Sequence, residues 1–166
     1  MSQAKLEKTM DDYFVKKAPF QIPAGGKKFL VDWAPVLAII GGVLSLIGAW
    51  GLWQASRVLD NDIIQLANDY ARSIGAETIR ETDVFYYGAI VFLVAQALLL
   101  FAAYKGLKAR TKNNGWSLLL LSTLLSFGYG IFVFVSDYGS FGNLLSSVIG
   151  IVISLYILAQ IRSSYK

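Results

Sequence analysis

The chain has 166 residues, of which 55% are hydrophobic and only 16% charged, with a formal net charge of +4. A soluble domain carries about 25% charged residues, so the deficit points to a bilayer. Cysteine and histidine are absent; this excludes disulfides, thiolate nucleophiles and Cys/His metal sites within the chain, and leaves Asp, Glu, Lys and Tyr as candidate general bases.

Residues 1–28 read as a cytoplasmic amphipathic segment. They mix charged and apolar residues and lack the short apolar run and small-residue cleavage site of a signal peptide. In "KLEKTMDDYFVKKAPF", Leu6, Met10, Tyr13 and Phe14 share one helical face among lysines and aspartates. Two readings carry equal weight: a helix lying on the inner membrane surface, held by apolar burial and lysine attraction to anionic lipid, and an arm packed on the rest of the protein. "FQIPAGG" then breaks the chain.

Residues 29–166 are expected to form one membrane domain with spans at about 33–56, 84–104, 114–136 and 139–161. Each span holds roughly 20 residues or more without a charge, enough at 1.5 Å per residue to cross a hydrocarbon core of about 30 Å. "SDYGSFG" separates the last two spans; Asp137, Gly139 and Gly142 suit a tight turn, with Asp137 capping a helix or facing water. The predicted fold is therefore all-α: a polytopic four-transmembrane-helix bundle with short amphipathic interfacial helices. The 57–83 loop contains one of these, "LDNDIIQLANDYARSIG". Leu59, Ile63, Leu66, Ala67, Tyr70 and Ile74 follow helical spacing, Asp60 or Asn61 can cap the start, and Gly75 can end it. Packing on its own bundle is the favoured expectation for this helix; contact with a partner is the other.

The basic residues set an orientation. The N-terminal segment, the 105–112 loop and the tail carry 12 Lys and Arg, against Arg57, Arg72 and Arg80 in the 57–83 loop. The positive-inside rule then places both termini in the cytoplasm. This topology signal, with anionic-lipid contact, explains the basic 105–112 loop without nucleic-acid binding. Trp33, Trp53, Trp116, Tyr86, Tyr87, Tyr104 and Tyr138 lie near span ends, as an aromatic belt would.

In lipid, helices associate through close backbone approach and interhelical hydrogen bonds rather than apolar burial. Small residues form stripes that could serve this: Gly41, Gly42, Ser45 and Gly48 in the first span, Ser122, Ser126 and Gly130 in the third, and Gly142, Ser146, Gly150 and Ser154 in the fourth. The last two stripes are expected to face each other across the hairpin, so that a bulky residue at Gly150 would block their approach. The first stripe is expected to pack internally, with a second copy or another membrane protein as the sharper possibility. Gln96 is an amide in mid-span and needs a buried polar contact, such as a serine.

No expected span contains Asp, Glu, Lys or Arg. Intramembrane ionisable groups mark proton relays and ion paths, so a proton-coupled pump is disfavoured. The four-helix small multidrug exporters need a membrane Glu, and quinone-linked disulfide-forming enzymes and claudin-like or tetraspanin-like proteins need cysteines. Phosphate-binding glycine motifs, HExxH and GxSxG are absent. Neither catalytic residues, a metal nor a cofactor is expected. The segments "FQIPAGGKKFLVDWAPVLAIIGGVLSL", "NNGWSLLLLSTLLS" and "ISLYILAQIRSSYK" resemble uncharacterised small four-span integral membrane proteins of reduced-genome bacteria. The resemblance covers most of the chain except the 57–83 loop. It implies a compact bundle in a bacterial inner membrane and transfers no catalytic residue. Together these features predict a non-enzymatic scaffold, accessory subunit or assembly partner, with an oligomeric pore or transporter for a neutral or lipidic solute as the alternative.

Overall fold

The computed structural model describes residues 3–18, 20–78, 84–136 and 139–166. The expectations for Asp137, Tyr138 and Arg80 lie outside them. Among the described residues every regular element is helical: α1 (Gln3–Asp11), α2 (Ala24–Leu59), α3 (Asp62–Ser73), α4 (Val84–Lys108), α5 (Ser117–Val135) and α6 (Phe141–Ile161). π-helical turns over Asp12–Lys16 and Lys112–Trp116 lead out of α1 and into α5, and a 3-10 turn over Arg162–Ser164 follows α6. Four of the helices are long and apolar enough to cross a membrane. The protein is thus an all-α, multi-pass membrane protein.

α2 is longer than the expected span. It starts at Ala24 and carries Gly25, Gly26, Lys27, Lys28 and Asp32 on helical backbone. Its 36 residues extend about 54 Å at the α-helical rise, well beyond a hydrocarbon core of about 30 Å. Charges at its two ends can therefore sit outside the apolar layer.

The long helices run antiparallel to their sequence neighbours. α2 lies along α4, α4 along α5 and α5 along α6, while α6 meets α2 only sparsely. The core is concentrated at one end. There the start of α2 (Val31, Ala34, Ala38), the end of α4 (Leu100, Ala103, Leu107), the start of α5 (Trp116, Leu120) and the end of α6 (Leu158, Ala159, Ile161) bury one another, joined by Met10 and Tyr165. We call this the basic end, because it holds both described termini and the 105–112 loop. At the opposite end α2 and α6 expose Leu44, Ile47, Trp50, Leu145, Ile149 and Ile153, which suits a lipid-facing surface.

Two close approaches tie the basic end together. Gly106 of α4 and Gly115 before α5 cross backbone to backbone; a Cβ at Gly106 would overlap the Asn114 carbonyl, and one at Gly115 would lie 2.5 Å from the Gly106 carbonyl carbon. Glycine is required at such a crossing because any side chain pushes the main chains apart. The Trp116 indole Nε1 donates to the Leu158 carbonyl at 2.8 Å. Trp116 is fully buried and lies beneath the Arg162 guanidinium, 5.7 Å from the ring centroid. The expected belt position for Trp116 is thus corrected: its ring is a core element, because α6 supplies both an acceptor and a cation for it. Trp53 and Tyr87 are exposed near helix ends, and Trp33 is exposed well inside α2.

The tail closes over the α4–α5 loop. Lys112 N–H donates to the main-chain oxygen of Lys166 at 2.7 Å, and Lys166 N–H donates to the Arg110 carbonyl at 3.0 Å. Arg110 takes a left-handed conformation, φ 55°, and its side chain reaches Asp32 of α2 at 2.7 Å, while Lys28 also holds Asp32 at 2.7 Å.

The two amphipathic segments behave differently. α1 and its π-turn pack onto the basic end: Met10 is buried, Phe14 and Val15 rest on the core, Phe14 meets Tyr156 edge-on, and Asp11 pairs with Arg162. Of the two readings for this segment, the packed arm is the observed one. α3 forms as its signals predict, with Asn61 Oδ1 accepting from Ile63 N–H at 3.0 Å and Gly75 ending it at φ 69°. Yet its apolar face is bare: Ile63, Leu66, Tyr70 and Ile74 are between 61% and 73% exposed. Only Asn68 of this helix is buried. The favoured expectation, that α3 packs its apolar face on the protein's own helices, is therefore overturned. Asn68, with Ile64 and Ala71 half-buried beside it, turns inward, and Ile63, Leu66, Tyr70 and Ile74 turn out.

Candidate functional site

The small and polar residues of the spans separate into three groups. Those of α2 face α4. A Cβ at Gly42 would meet the Phe101 ring at 2.5 Å, one at Gly41 would sit 3.2 Å from Leu100, and one at Gly48 would sit 3.4 Å from Leu93. Side chains of α4 thus fill the glycine stripe. Ser45 is buried and returns its hydroxyl to the Gly41 carbonyl at 2.9 Å, an i−4 bond that satisfies the group without a partner helix.

The second group makes the α5–α6 contact. Gly130 meets Ser147, so closely that a Cβ there would lie 2.7 Å from the Ser147 Cβ. Ser147 is not a member of the expected α6 stripe. Gly142 and Ser146 are exposed; the nearest atom to a Cβ at Gly142 is Ser140 Oγ, in its own turn, at 3.7 Å. A Cβ at Gly150 would meet nothing within 4 Å. The expectation that a bulky residue at Gly150 blocks the hairpin is therefore corrected. The two stripes do not interlock, because the antiparallel register presents Ser147, one position around the helix, to Gly130.

The third group lines a groove. α4 contributes Gln96 and Leu100, α5 contributes Ser122, Thr123 and Ser126, and α6 contributes Ser147, Gly150 and Ser154, around about 410 Å3 of space. Gln96 Nε2 donates to Ser126 Oγ at 2.6 Å, the serine contact expected of a mid-span amide. Thr123 and Ser147 donate back to their own helices, to the Leu119 and Asn143 carbonyls, each at 3.0 Å. A hydroxyl bonded this way keeps lone pairs for another donor. The groove exists because α6 leans on α5 at Gly130–Ser147 and returns to the core only at Leu158, leaving the stretch between them apart. A purely apolar pocket, lined by Leu37, Gly41, Leu100, Leu119 and Ile157 among others, adjoins it and shares Leu100 and Leu119.

The sequence pattern indicated Ser122, Ser126, Gly150, Ser154 and Gln96 as packing or contact residues but did not bring them into one groove. It missed the Gly106–Gly115 crossing altogether. The signal available was a glycine on each side of the basic loop, in "KGLKARTKNNGW". The chain matches no protein-family model, no curated protein and no solved structure.

Proposed function

We propose that this chain is a non-enzymatic scaffold or accessory subunit of a bacterial cytoplasmic membrane, with both termini inside, and that it docks a transmembrane helix of another membrane protein in the α4–α5–α6 groove. The observation that carries this reading is the lining: Gln96, Ser122, Ser126, Gly150 and Ser154 present small side chains and hydrogen-bonding groups to open space within the apolar layer. Gln96 and Ser126 bond each other and Thr123 and Ser147 bond their own helices, and a neighbouring helix with small or hydroxyl side chains can use the donor and acceptor positions that remain; each such interhelical bond contributes about 0.6 kcal/mol and at most about 2. The open space at Gly150 gives an incoming backbone room for close approach. The bare face of α3 offers the same partner, or the membrane surface, a second contact at the opposite end.

A second reading rests on the same space. A groove of about 410 Å3 with hydroxyls and an amide is also large enough for a small neutral or lipidic solute, and an oligomer that closes it would make a pore.

A photo-crosslinking residue at Gly150, with Val152 on the other side of α6 as control, separates these. We expect a discrete adduct with a single foreign membrane protein from Gly150, none from Val152, and its loss in Ser154→Leu. An adduct with a second copy, together with solute flux in proteoliposomes that Gln96→Leu abolishes, transfers the conclusion to the pore. Lipid adducts alone at both positions defeat the docking reading.

A further inference from the structure

At the basic end a second cavity, of about 530 Å3, opens between the N-terminal arm, the start of α2, the α4–α5 loop and the tail. Its wall carries Lys16, Lys27, Lys112 and Arg162 together with the carboxylate of Asp11; Asp11 pairs with Arg162 and Asp12 pairs with Lys16. Two more lining residues are polar and almost completely buried: Gln160, 1% exposed, and Tyr165, 4% exposed. Gln160 uses its amide N–H on the Phe14 carbonyl at 2.7 Å, which leaves Oε1 with no hydrogen-bond partner; the Tyr165 hydroxyl has none either.

Buried polar atoms without partners are rare in folded proteins and destabilising, each by about 1–3 kcal/mol. Both atoms belong to residues that line this one cavity, beneath its surface, where a ligand seated in the cavity is the nearest source of a partner. The chemistry of the donors and acceptors is informative. Gln160 Oε1 can only accept, so its partner must bring an O–H or N–H. The Tyr165 hydroxyl can donate, and burial pushes its pKa above the ordinary tyrosine value, so it keeps its proton. Lysine and arginine side chains bind phosphate oxygens through charge-assisted hydrogen bonds. An apolar patch of Val15 and Ala159 completes the wall.

We propose that this cavity binds a phosphate ester that carries a free hydroxyl, with the phosphate held by Lys27, Lys112 and Arg162 and the hydroxyl directed to Gln160. Two sources share that chemistry: the glycerophosphate headgroup of an anionic lipid, and a soluble sugar or glycerol phosphate. Basic pockets among the ends of transmembrane helices are established binding places for anionic headgroups. The site is independent of the mid-membrane groove.

The test uses the full chain in lipid nanodiscs and native mass spectrometry. In the first arm, phosphatidylglycerol is titrated into phosphatidylcholine discs; in the second, sn-glycerol 3-phosphate is added to pure phosphatidylcholine discs. Retention of phosphatidylglycerol over phosphatidylcholine is expected. Lys27→Gln/Lys112→Gln should weaken it about 30-fold, from the attraction lost per lysine near an anionic headgroup. Lys5→Gln/Lys8→Gln, which removes equal charge outside the cavity, should leave it within about twofold. Lys27→Arg/Lys112→Arg keeps both charges and should retain binding, which separates lost charge from lost fold. Tyr165→Phe should weaken binding about fivefold, the share of one hydrogen bond. The same variant pattern with glycerol 3-phosphate supports the site and assigns it to a soluble ligand. No preference in either arm, or equal loss in the Lys5/Lys8 control, overturns it.

Discussion

The two ends of this protein are built on opposite principles. At the basic end all four long helices, the N-terminal arm and the tail converge on Trp116, Leu107 and Ala103, and side chains 78 to 151 residues apart in sequence are joined by ion pairs. At the other end the helices meet pairwise, through Gly88 under Phe132 and Gly130 against Ser147, and α3 turns its apolar face outward. The difference is one of solvent. Outside the apolar layer, burial of Met10 and Phe14 still drives packing. Within lipid, an exposed leucine costs nothing, so only contacts with small residues or hydrogen bonds hold helices together. Strength at one end thus leaves the other free for contacts with something else.

The largest test of that contrast is Gly106→Ala. Its methyl group would overlap the Asn114 carbonyl, and the main chain cannot swing aside as a side chain would. We expect a loss of about 4 kcal/mol or more, the range reserved for defects of this kind, seen as failure to recover folded protein in detergent. A normal melting temperature would show that the loop crossing is not a fixed point.

Trp116→Ala comes next. It removes a fully buried ring and the bond to the Leu158 carbonyl, and should cost about 3–5 kcal/mol in thermal unfolding. A small effect would mean that α6 does not depend on the basic end for its position.

Gly150→Leu sharpens the comparison from the open side. A Cβ there meets nothing, so the isolated chain should keep its stability within about 0.5 kcal/mol. The same variant should abolish docking in the groove, read as loss of the adduct formed from a crosslinker at Ser154. Marked destabilisation would show that α5 and α6 close upon each other there, and the groove would lose its role.

Much of this architecture was legible in the sequence. Apolar runs in α2, α4, α5 and α6 require long helices in a bilayer, since no other arrangement satisfies their backbone groups locally. Asn61 and Gly75 bounded α3 correctly, because caps are local chemistry. The lysines and arginines that set the expected orientation also gather at one end of the fold. Gln96 needed a hydroxyl, and Ser126 supplies one.

The sites were much less legible. Small residues every fourth position define a face but not its partner: the glycines of α2 receive Phe101 and Leu100 of α4, whereas Gly142 and Ser146 of α6 are exposed and a Cβ at Gly150 would meet nothing within 4 Å. Helix rotation and register decide between these outcomes, and both depend on contacts far apart in sequence, such as Gly130 with Ser147 and Trp116 with Leu158. For the same reason an aromatic at a span end reads as a belt residue when alone, yet Trp116 is interior once α6 covers it. Sequence alone determined which segments form long apolar helices fit to cross a bilayer and where α3 begins and ends, because hydropathy and hydrogen bonding of the backbone act locally. Tertiary structure alone decided which faces close and which stay open, and it placed four cations around Gln160 and Tyr165, because that arrangement depends on how six separate segments pack together.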